Sequence, residues 1–376
     1  MRRVVVTGAR GFIGRNLMVA LGRHDDVEAA GFDVDDPPEA LWTALSRVDV
    51  VYHLAGVNRP QYPVEFQTGN VGFTAELCSH LDEAGGRPAV VFASSLQAEL
   101  DNPYGASKLA AEGVLAAWSS AGGGPVAVFR LPNVFGKWGR PSYNSVVATF
   151  CHNVAHGLPV RVDDPDAAMR LVHVDEVVNA FLQVLEAPPQ GAERRTVTPV
   201  TEITVGELAA RVQAFRAAQH SPDLPDLSGH FARALFSTYL SYLEPGELAF
   251  DLDVRADERG DLAELIREPH AGQIFMSRTH PGVTRGNHYH DTKVERFMVI
   301  AGEGLVRLRP LGGDEVREYP VSGDAPQTVI IPPGTVHSIE NVGPVEMVTL
   351  FWAGEVFDPA RPDTYYERVL REEEGS

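Results

Sequence analysis

Three groups of residues in this 376-residue chain have the types and spacings that chemistry needs. The first is Thr7-Gly8-Ala9-Arg10-Gly11-Phe12-Ile13-Gly14. Glycines so spaced let a backbone turn tightly and approach a pyrophosphate. A helix opening there adds free N–H groups and a positive dipole end. Gly8, Arg10, Gly11, Phe12, Ile13 and Gly14 are therefore candidate contacts for NADPH or NADH. Asp33 follows 19 residues after Gly14, where a carboxylate would bond an adenosine ribose and repel a 2′-phosphate. Arg10 would instead welcome that phosphate, so the two residues disagree. The second group is Tyr104-Gly105-Ala106-Ser107-Lys108. Four residues along a helix place both side chains on one face. An ammonium beside a phenol favours proton exchange near neutral pH, and the same lysine can hold a nicotinamide ribose. Ser94 and Ser95 offer hydroxyls to a substrate carbonyl. The third group is His288-Tyr289-His290, Glu295 and His337. His288 and His290 share one face of a strand. Three imidazoles and a carboxylate suit Zn, Fe, Ni or Mn better than Mg or Ca. His270 and His280 fall off this spacing and read as ordinary polar residues.

The elements that must position these groups differ between the two parts of the chain. Strands are predicted over Arg3–Val6, Val27–Phe32, Val48–Leu54, Ala89–Ala93 and Val126–Leu131. Helices are predicted between them, over Gly14–Leu21, Asn70–Glu83 and Tyr104–Ser119. That alternation means a parallel sheet wrapped by helices. Beyond Glu244-Pro245-Gly246 the segments are short and β-branched: Arg296–Ile300, Gly304–Arg309, Thr328–Ile331 and Glu346–Phe351. They read as an antiparallel barrel or sandwich. The expected division is residues 1–243 and 244–376. Ala218–Leu227, with Pro222 and Pro225, reads as a loop in the tail of the first domain.

Composition excludes other classes. Hydrophobic residues make up 44% and charged residues 22%, which gives ample material for a core. The net charge of −19 repels phosphate backbones and anionic membranes, so neither nucleic acid nor membrane is an expected partner. Two cysteines, Cys78 and Cys151, do not make a disulfide framework and fit a reducing cytoplasm. No apolar run reaches the length of a membrane span.

The glycine turn and the Tyr104/Lys108 pair resemble the extended short-chain dehydrogenase/reductase family. His53-Leu54-Ala55-Gly56 is similar to that family's cofactor turn after a strand. Asn70-Val71 is similar to its helix carrying a fourth site residue, and Arg130-Leu131-Pro132-Asn133-Val134-Phe135-Gly136 to its substrate-side segment. The resemblance implies a Rossmann-type doubly wound sheet. It implies Ser95, Tyr104 and Lys108 as catalytic residues, Leu54, Ala55 and Gly56 as cofactor contacts, and Arg130, Asn133 and Lys137 as substrate contacts. Dehydratases of the family carry an Asp-Glu pair after the active-site hydroxyl; Leu96-Gln97 stands here, which disfavours dehydration.

Gly282-x5-His288-x-His290-x4-Glu295-x6-Gly302 and Pro332-x-Gly334-x2-His337-x3-Asn341 resemble the two cupin motifs, with Pro326 where a glycine is usual. The resemblance implies a jelly-roll barrel with His288, His290, Glu295 and His337 as metal ligands, most simply of Zn. A reductase domain followed by a cupin resembles a family of bifunctional capsular-polysaccharide enzymes. There the cupin epimerises C3 of a UDP-4-keto-6-deoxy-N-acetylhexosamine, and the first domain reduces C4 with NADPH to a UDP-6-deoxy-L-talosamine-type sugar. Lys293, Tyr289 and His337 are the base or acid candidates, with Lys293 foremost. The expected assembly is a homodimer through the cupin. Rival readings are a reductase with the cupin as a dimerisation platform, an NAD(P)-sensing regulator and a metal-dependent oxygenase.

Overall fold

A computed structural model describes residues 1–371. They form two compact units. One comprises Met1–Gln213 and His230–Glu244, the other Ala214–Gly229 and the chain from Pro245 onward.

In the first unit a six-stranded parallel sheet runs, edge to edge, Val27–Phe32, Arg2–Thr7, Val50–His53, Ala89–Ser95, Val126–Leu131 and Ala192–Arg195. Parallel strands need crossovers, and helices supply them. Alternate residues of each strand face opposite sides. Val4, Val6, Tyr52, Val91 and Phe129 join Leu17, Leu21, Val177 and Phe181 in one buried layer. Val5, Val51, Val90, Phe92 and Val128 join Leu77, Leu81, Ala111 and Leu115 in the other. Both faces are covered, which is why these strands read as unbroken apolar runs rather than alternating ones. Cys78 and Cys151 are buried and free. No helix among the described residues is long and apolar enough to cross a membrane.

The register fixes where chemistry can occur. Thr7 pairs with Phe32 and His53, His53 with Phe92, and Ser95 with Leu131. The glycine turn, Asp33, Leu54 and Ser95 all leave the carboxyl ends of their strands, along one rim of the sheet.

Two expectations need correction. The helix expected over Asn70–Glu83 begins as a wider π-type turn, Gln67–Gly72, and becomes α-helical at Phe73–Glu83. Asn70 spends its side chain outside the helix, and Gly69 and Gly72 keep the turn pliable. Ala218–Leu227 belongs with the second unit, not with the tail of the first. Arg267 N–H donates to the Pro222 carbonyl at 2.6 Å, and Leu224 N–H donates to the Arg267 carbonyl at 2.7 Å. Prolines suit such an edge because they leave few donors to satisfy.

The second unit consists of two antiparallel sheets. One runs Val254–Asp257, Gly260–Glu268, Gly272–Thr279, Met347–Ala353, Glu295–Ala301 and Val329–Ile331. The other runs Arg317–Ser322, Glu303–Pro310, Thr335–Asn341, Thr284–Tyr289 and Tyr365–Tyr366. Phe297, Val299, Val306, Leu308, Ile331, Ile339 and Phe351 fill the space between them. This is the expected all-β jelly-roll pattern.

Candidate functional site

On the first unit's rim the glycines serve close approach. Gly8 has φ 71, and a Cβ there would lie 2.8 Å from the Ala55 nitrogen. A Cβ on Gly14 would lie 2.1 Å from the Gly8 carbonyl oxygen. No side chain fits either place, so the turn presents backbone to whatever binds above it. Gly56 is as constrained: its Cβ would lie 2.9 Å from Asn70 Oδ1 and 3.2 Å from Lys108 Nζ.

A directed chain of buried hydrogen bonds sets this turn. Ala55 N–H donates to Thr7 Oγ1 at 3.3 Å, and Thr7 Oγ1 lies 2.9 Å from His53 Nδ1. His53 Nε2 lies 2.9 Å from Thr74 Oγ1, which donates to the Asn70 carbonyl at 2.6 Å. These partners assign the ring: Nδ1 accepts from Thr7 and Nε2–H donates to Thr74. Burial, aided by the charge of Lys108, pushes the imidazole down to about 3 and keeps it neutral. Asn70 accepts from Val57 N–H at 2.7 Å and donates to the Val57 carbonyl and to Ser107 Oγ, each at 2.9 Å. It thereby ties the cofactor turn to the helix Pro103–Ser120. The sequence motifs mark His53 and Asn70, but Thr7 and Thr74 carry no signal that distinguishes them from other threonines.

Ser95, Tyr104 and Lys108 come together. Burial pushes the Tyr104 phenol up, against a hydrogen bond from Ser95 that pulls it down. Lys108 is buried, donates to the Ala93 carbonyl at 2.9 Å and lies 4.8 Å from the Phe92 ring centroid. Burial pushes its ammonium down to about 8, with Glu112 opposing. Burial thus outweighs the Ser95 hydrogen bond at Tyr104, a direction that favours the phenol, the form that donates a proton. Of the two candidate serines, Ser94 is committed to buried Glu112 at 2.5 Å, which leaves Ser95 for the site.

Arg130, expected on the substrate side, grips Glu112 with two nitrogens, its Nη2 at 2.7 Å, and reaches Glu99 at 2.8 Å. Through Glu112, which Ser94 also meets, the guanidinium supports the strand end that carries Ser95. Lys137 pairs with Asp175 at 2.8 Å, and Asn133 is exposed on its own short strand. Sequence reasoning missed Tyr143, whose phenol donates to Asn58 Oδ1 at 2.7 Å. The guanidinium carbons of Arg59 and Arg140 lie 5.5 and 5.1 Å from its ring centroid.

At the dinucleotide's far end, Asp33 accepts from Arg10 N–H at 2.9 Å and from Val34 N–H at 3.0 Å. The Arg10 guanidinium pairs with Asp36 at 3.0 Å and lies 3.9 Å from Asp35. The disagreement between Arg10 and Asp33 thus has a local answer: three carboxylates surround one arginine.

In the second unit four donor side chains converge: His288 from the strand Thr284–Tyr289, His290 just past its end, Glu295 from Glu295–Ala301 and His337 from Thr335–Asn341. His288 and His337 are direct partners across two strands, after a bulge at Gly286/His288 where Asn287 has φ 59. A bulge of this kind re-aims the next side chain. Glu295 arrives from the opposite sheet. The His337 Nδ1 donates to the Thr335 carbonyl at 3.0 Å, and the His290 Nδ1 donates to the Asp363 carbonyl. With these protons placed, both Nε2 atoms present lone pairs. They are buried without a hydrogen-bond partner, and each lies 3.3 Å from Glu295 Oε2. Ring acceptors facing a carboxylate in a buried cup are satisfied by a cation between them, so the donor set fits a divalent metal. Burial pushes His288 down to about 4. Lys293 is buried, and its ammonium donates to the Pro362 carbonyl at 3.2 Å.

Residues 4–198 match the NAD dependent epimerase/dehydratase family, and residues 255–365 match the polysaccharide biosynthesis C-terminal domain. The chain is 41% identical over 363 residues to the UDP-2-acetamido-2,6-beta-L-arabino-hexul-4-ose reductase of Pseudomonas aeruginosa, covering 96% of this chain and 98% of that protein. The capsular polysaccharide assembling protein CapF of Staphylococcus aureus superposes with TM-score 0.89 at 40% identity, over 97% of this chain and 99% of that one. RMD from Pseudomonas aeruginosa, in a complex with NADPH, is similar over 58% of this chain and 84% of its own, with TM-score 0.51 and 26% identity. With a rim built for a dinucleotide, and a family model and a nearly full-length relative that agree, the chain belongs to the NAD dependent epimerase/dehydratase family and carries a polysaccharide biosynthesis C-terminal domain.

Proposed function

We propose that this chain is a bifunctional sugar-nucleotide enzyme. Its second unit epimerises C3 of a UDP-4-keto-6-deoxy-N-acetylhexosamine. Its first unit then reduces C4 to a UDP-6-deoxy-L-talosamine-type product, for a capsule or another surface polysaccharide. One observation carries the reading: Ser95 at a strand end, with Tyr104 and Lys108 one turn apart on the helix Pro103–Ser120, occurs in the same chain as a largely buried three-histidine, one-carboxylate cup. The name of the Pseudomonas relative, a reductase of a UDP-linked 4-ketosugar, supports the substrate class.

The reduction follows from the residues. A dinucleotide bound along the rim supplies hydride to C4. Ser95 donates a hydrogen bond to the C4 oxygen, and Tyr104 gives that oxygen its proton. Lys108, one helical turn on, steadies the phenolate left behind and holds the nicotinamide ribose. Arg59 and Arg140, stacked on Tyr143, are the cations that would meet a diphosphate, in a chain whose overall charge repels one.

Epimerisation needs a base at C3 and stabilisation of charge on the C4 oxygen. The proton next to the ketone leaves from one face and returns on the other. Lys293 is the favoured base or acid, because its charge reaches His290 while His337 already commits both ring nitrogens to the cup and a carbonyl. His288, His290, Glu295 and His337 would hold the metal, Zn being the simplest choice, and a divalent cation there supplies polarisation of a ketone oxygen. Homodimerisation through the second unit, where Ile300, Ile330 and Val342 are exposed, is part of the same proposal, with sedimentation as its check.

The test uses a UDP-4-keto-6-deoxy-N-acetylhexosamine in deuterated water. Without reduced cofactor, the C3 proton should exchange with solvent; adding NADH or NADPH should then consume the ketone. Reduction with no exchange would leave a reductase alone and reduce the second unit to a scaffold.

A further inference from the structure

The chain's C-terminal stretch lies against the metal cup, although it shares no motif with it. Asp363 stands 68 residues beyond Glu295 in the sequence and touches three consecutive residues of the cup's loop. Its Oδ1 accepts from Asp291 N–H at 2.8 Å. Its Oδ2 accepts from Thr292 N–H at 3.1 Å, from Lys293 N–H at 2.9 Å and from Thr292 Oγ1 at 3.1 Å. Its backbone carbonyl receives the His290 Nδ1 proton. One residue therefore holds both the ring of a metal-ligand candidate and the turn that carries Lys293. Pro362, its neighbour, receives the Lys293 ammonium.

The stretch is fastened on its other side. Tyr365 and Tyr366 add a short strand beside Tyr289 and His288. Glu367 N–H donates to the Asn287 carbonyl at 3.0 Å, and Val369 N–H donates to Asn287 Oδ1 at 3.1 Å. Arg309 is 1% exposed, the most deeply buried arginine described. Its guanidinium donates to the Val369 and Arg368 carbonyls at 3.0 and 2.8 Å, and to the Glu367 carboxylate at 2.7 Å. Burying an arginine is costly unless its donors are used; here Nε and Nη2 hold this stretch, while Nη1 donates to the Gly313 carbonyl at 2.9 Å.

We infer that Asp363 is a positioning residue for the second site: its carbonyl orients His290 and fixes the tautomer that leaves Nε2 free, and its carboxylate sets the loop from which Lys293 projects. The inference rests on reading the four-residue cup as a metal site. A ligand ring whose other nitrogen is held by a fixed acceptor binds metal more tightly than a free one. Asp363 has φ 40, a left-handed conformation that Asp and Asn tolerate and Gly adopts freely. Asp363→Gly therefore removes the carboxylate without adding backbone strain. Asp363→Asn keeps a carbonyl oxygen for the Thr292 and Lys293 N–H groups and turns an amide donor toward Asp291.

The experiment measures zinc affinity of the full-length protein by chelator competition, and the absorption bands of the cobalt-loaded protein. Thermal unfolding of each metal-free variant serves as a check on folding. Asp363→Gly keeps the carbonyl that meets His290 but removes the carboxylate that anchors it to the loop, so zinc affinity should fall several-fold, up to the about 10–100-fold of losing an outer partner outright, and be partly restored in Asp363→Asn. The cobalt bands should move in the same order while the metal-free melting temperatures stay close. Wild-type affinity and bands in Asp363→Gly would overturn the inference and leave the metal site standing. No zinc binding by the wild type would overturn the metal reading and the inference with it. Equal losses in the two variants, matched by equal losses of melting temperature, would make Asp363 a general stabiliser and overturn the positioning role.

Discussion

In the first unit the groups that face a dinucleotide are largely backbone. Gly8, Gly14 and Gly56 work by having no side chain, and the carboxyl ends of parallel strands place them on one rim. In the second unit the working groups are all side chains, and backbone carbonyls of Thr335 and Asp363 hold them from behind. The difference suits the ligands proposed for each. A dinucleotide is long and needs close approach over several turns, whereas a metal ion is a point and needs a few donors aimed at it. The first arrangement fails when something is added and the second fails when something is removed.

The sharpest way to separate the two is to remove one group from each and follow both reactions. Tyr104→Phe keeps the ring and deletes the proton donor. Reduction should fall by about 10²–10⁴-fold, as for loss of a general acid, with dinucleotide binding and C3 exchange retained. His290→Ala should release metal and weaken exchange. Loss of exchange in Tyr104→Phe, with retention after His290→Ala, would place both steps in the first unit.

A second contrast concerns how each unit tolerates buried charge. The first unit buries Glu112 against Arg130, with Ser94 and the more distant Arg194 as further partners. Arg130→Met fills the space but strands a carboxylate behind the strand end that carries Ser95. Breaking one side of such a pair costs about 3–5 kcal/mol, so chemical denaturation should show a loss of that order. A change below about 1 kcal/mol would mean that Ser94 and Arg194 suffice.

Much of this could be read before any coordinates, and the reason differs by site. Glycines at fixed offsets, Tyr104 four residues before Lys108, and His288-Tyr289-His290 announce themselves because local geometry alone forces their spacing. The sheet followed from apolar runs buried on both faces. What stayed hidden acts over long sequence distance or through backbone. Asp363 holds His290 with a carbonyl that every residue possesses. Arg130 looked like a substrate contact because pairing with Glu112 depends on a strand and a helix meeting. Ala218–Leu227 reads as a tail of the first domain because its partner is the far end of the strand Gly260–Glu268, at Arg267, which nothing in its composition identifies.

A smaller effect tests the electrostatics of the first site. Lys108 is pushed down to about 8 by burial, and Tyr104 is raised. Below about pH 8 the ammonium is present; above it the charge is lost while the phenol still holds its proton. The rate of reduction should therefore decline as pH rises through about 8, and Lys108→Arg, which stays charged, should move that decline upward. A flat profile through pH 9 in the wild type would mean that the ammonium is not required.

The smallest expected effect concerns the choice of dinucleotide. Asp33, Asp35 and Asp36 surround Arg10, whose guanidinium is engaged by Asp36. A 2′-phosphate would have to displace that carboxylate and sit beside two more, so the wild type should favour NADH over NADPH. The NADPH complex of RMD, which is 26% identical, shows that the other choice exists among similar proteins. Removing one carboxylate leaves the other two, so Asp33→Ala should shift the ratio of kcat/KM values toward NADPH by only about tenfold, the equivalent of about 1.4 kcal/mol. Asp36→Ala frees the guanidinium itself and should shift it further. If the wild type already prefers NADPH and Asp36→Ala changes nothing, Arg10 meets the phosphate despite its neighbours, and the field of the three carboxylates does not decide the cofactor.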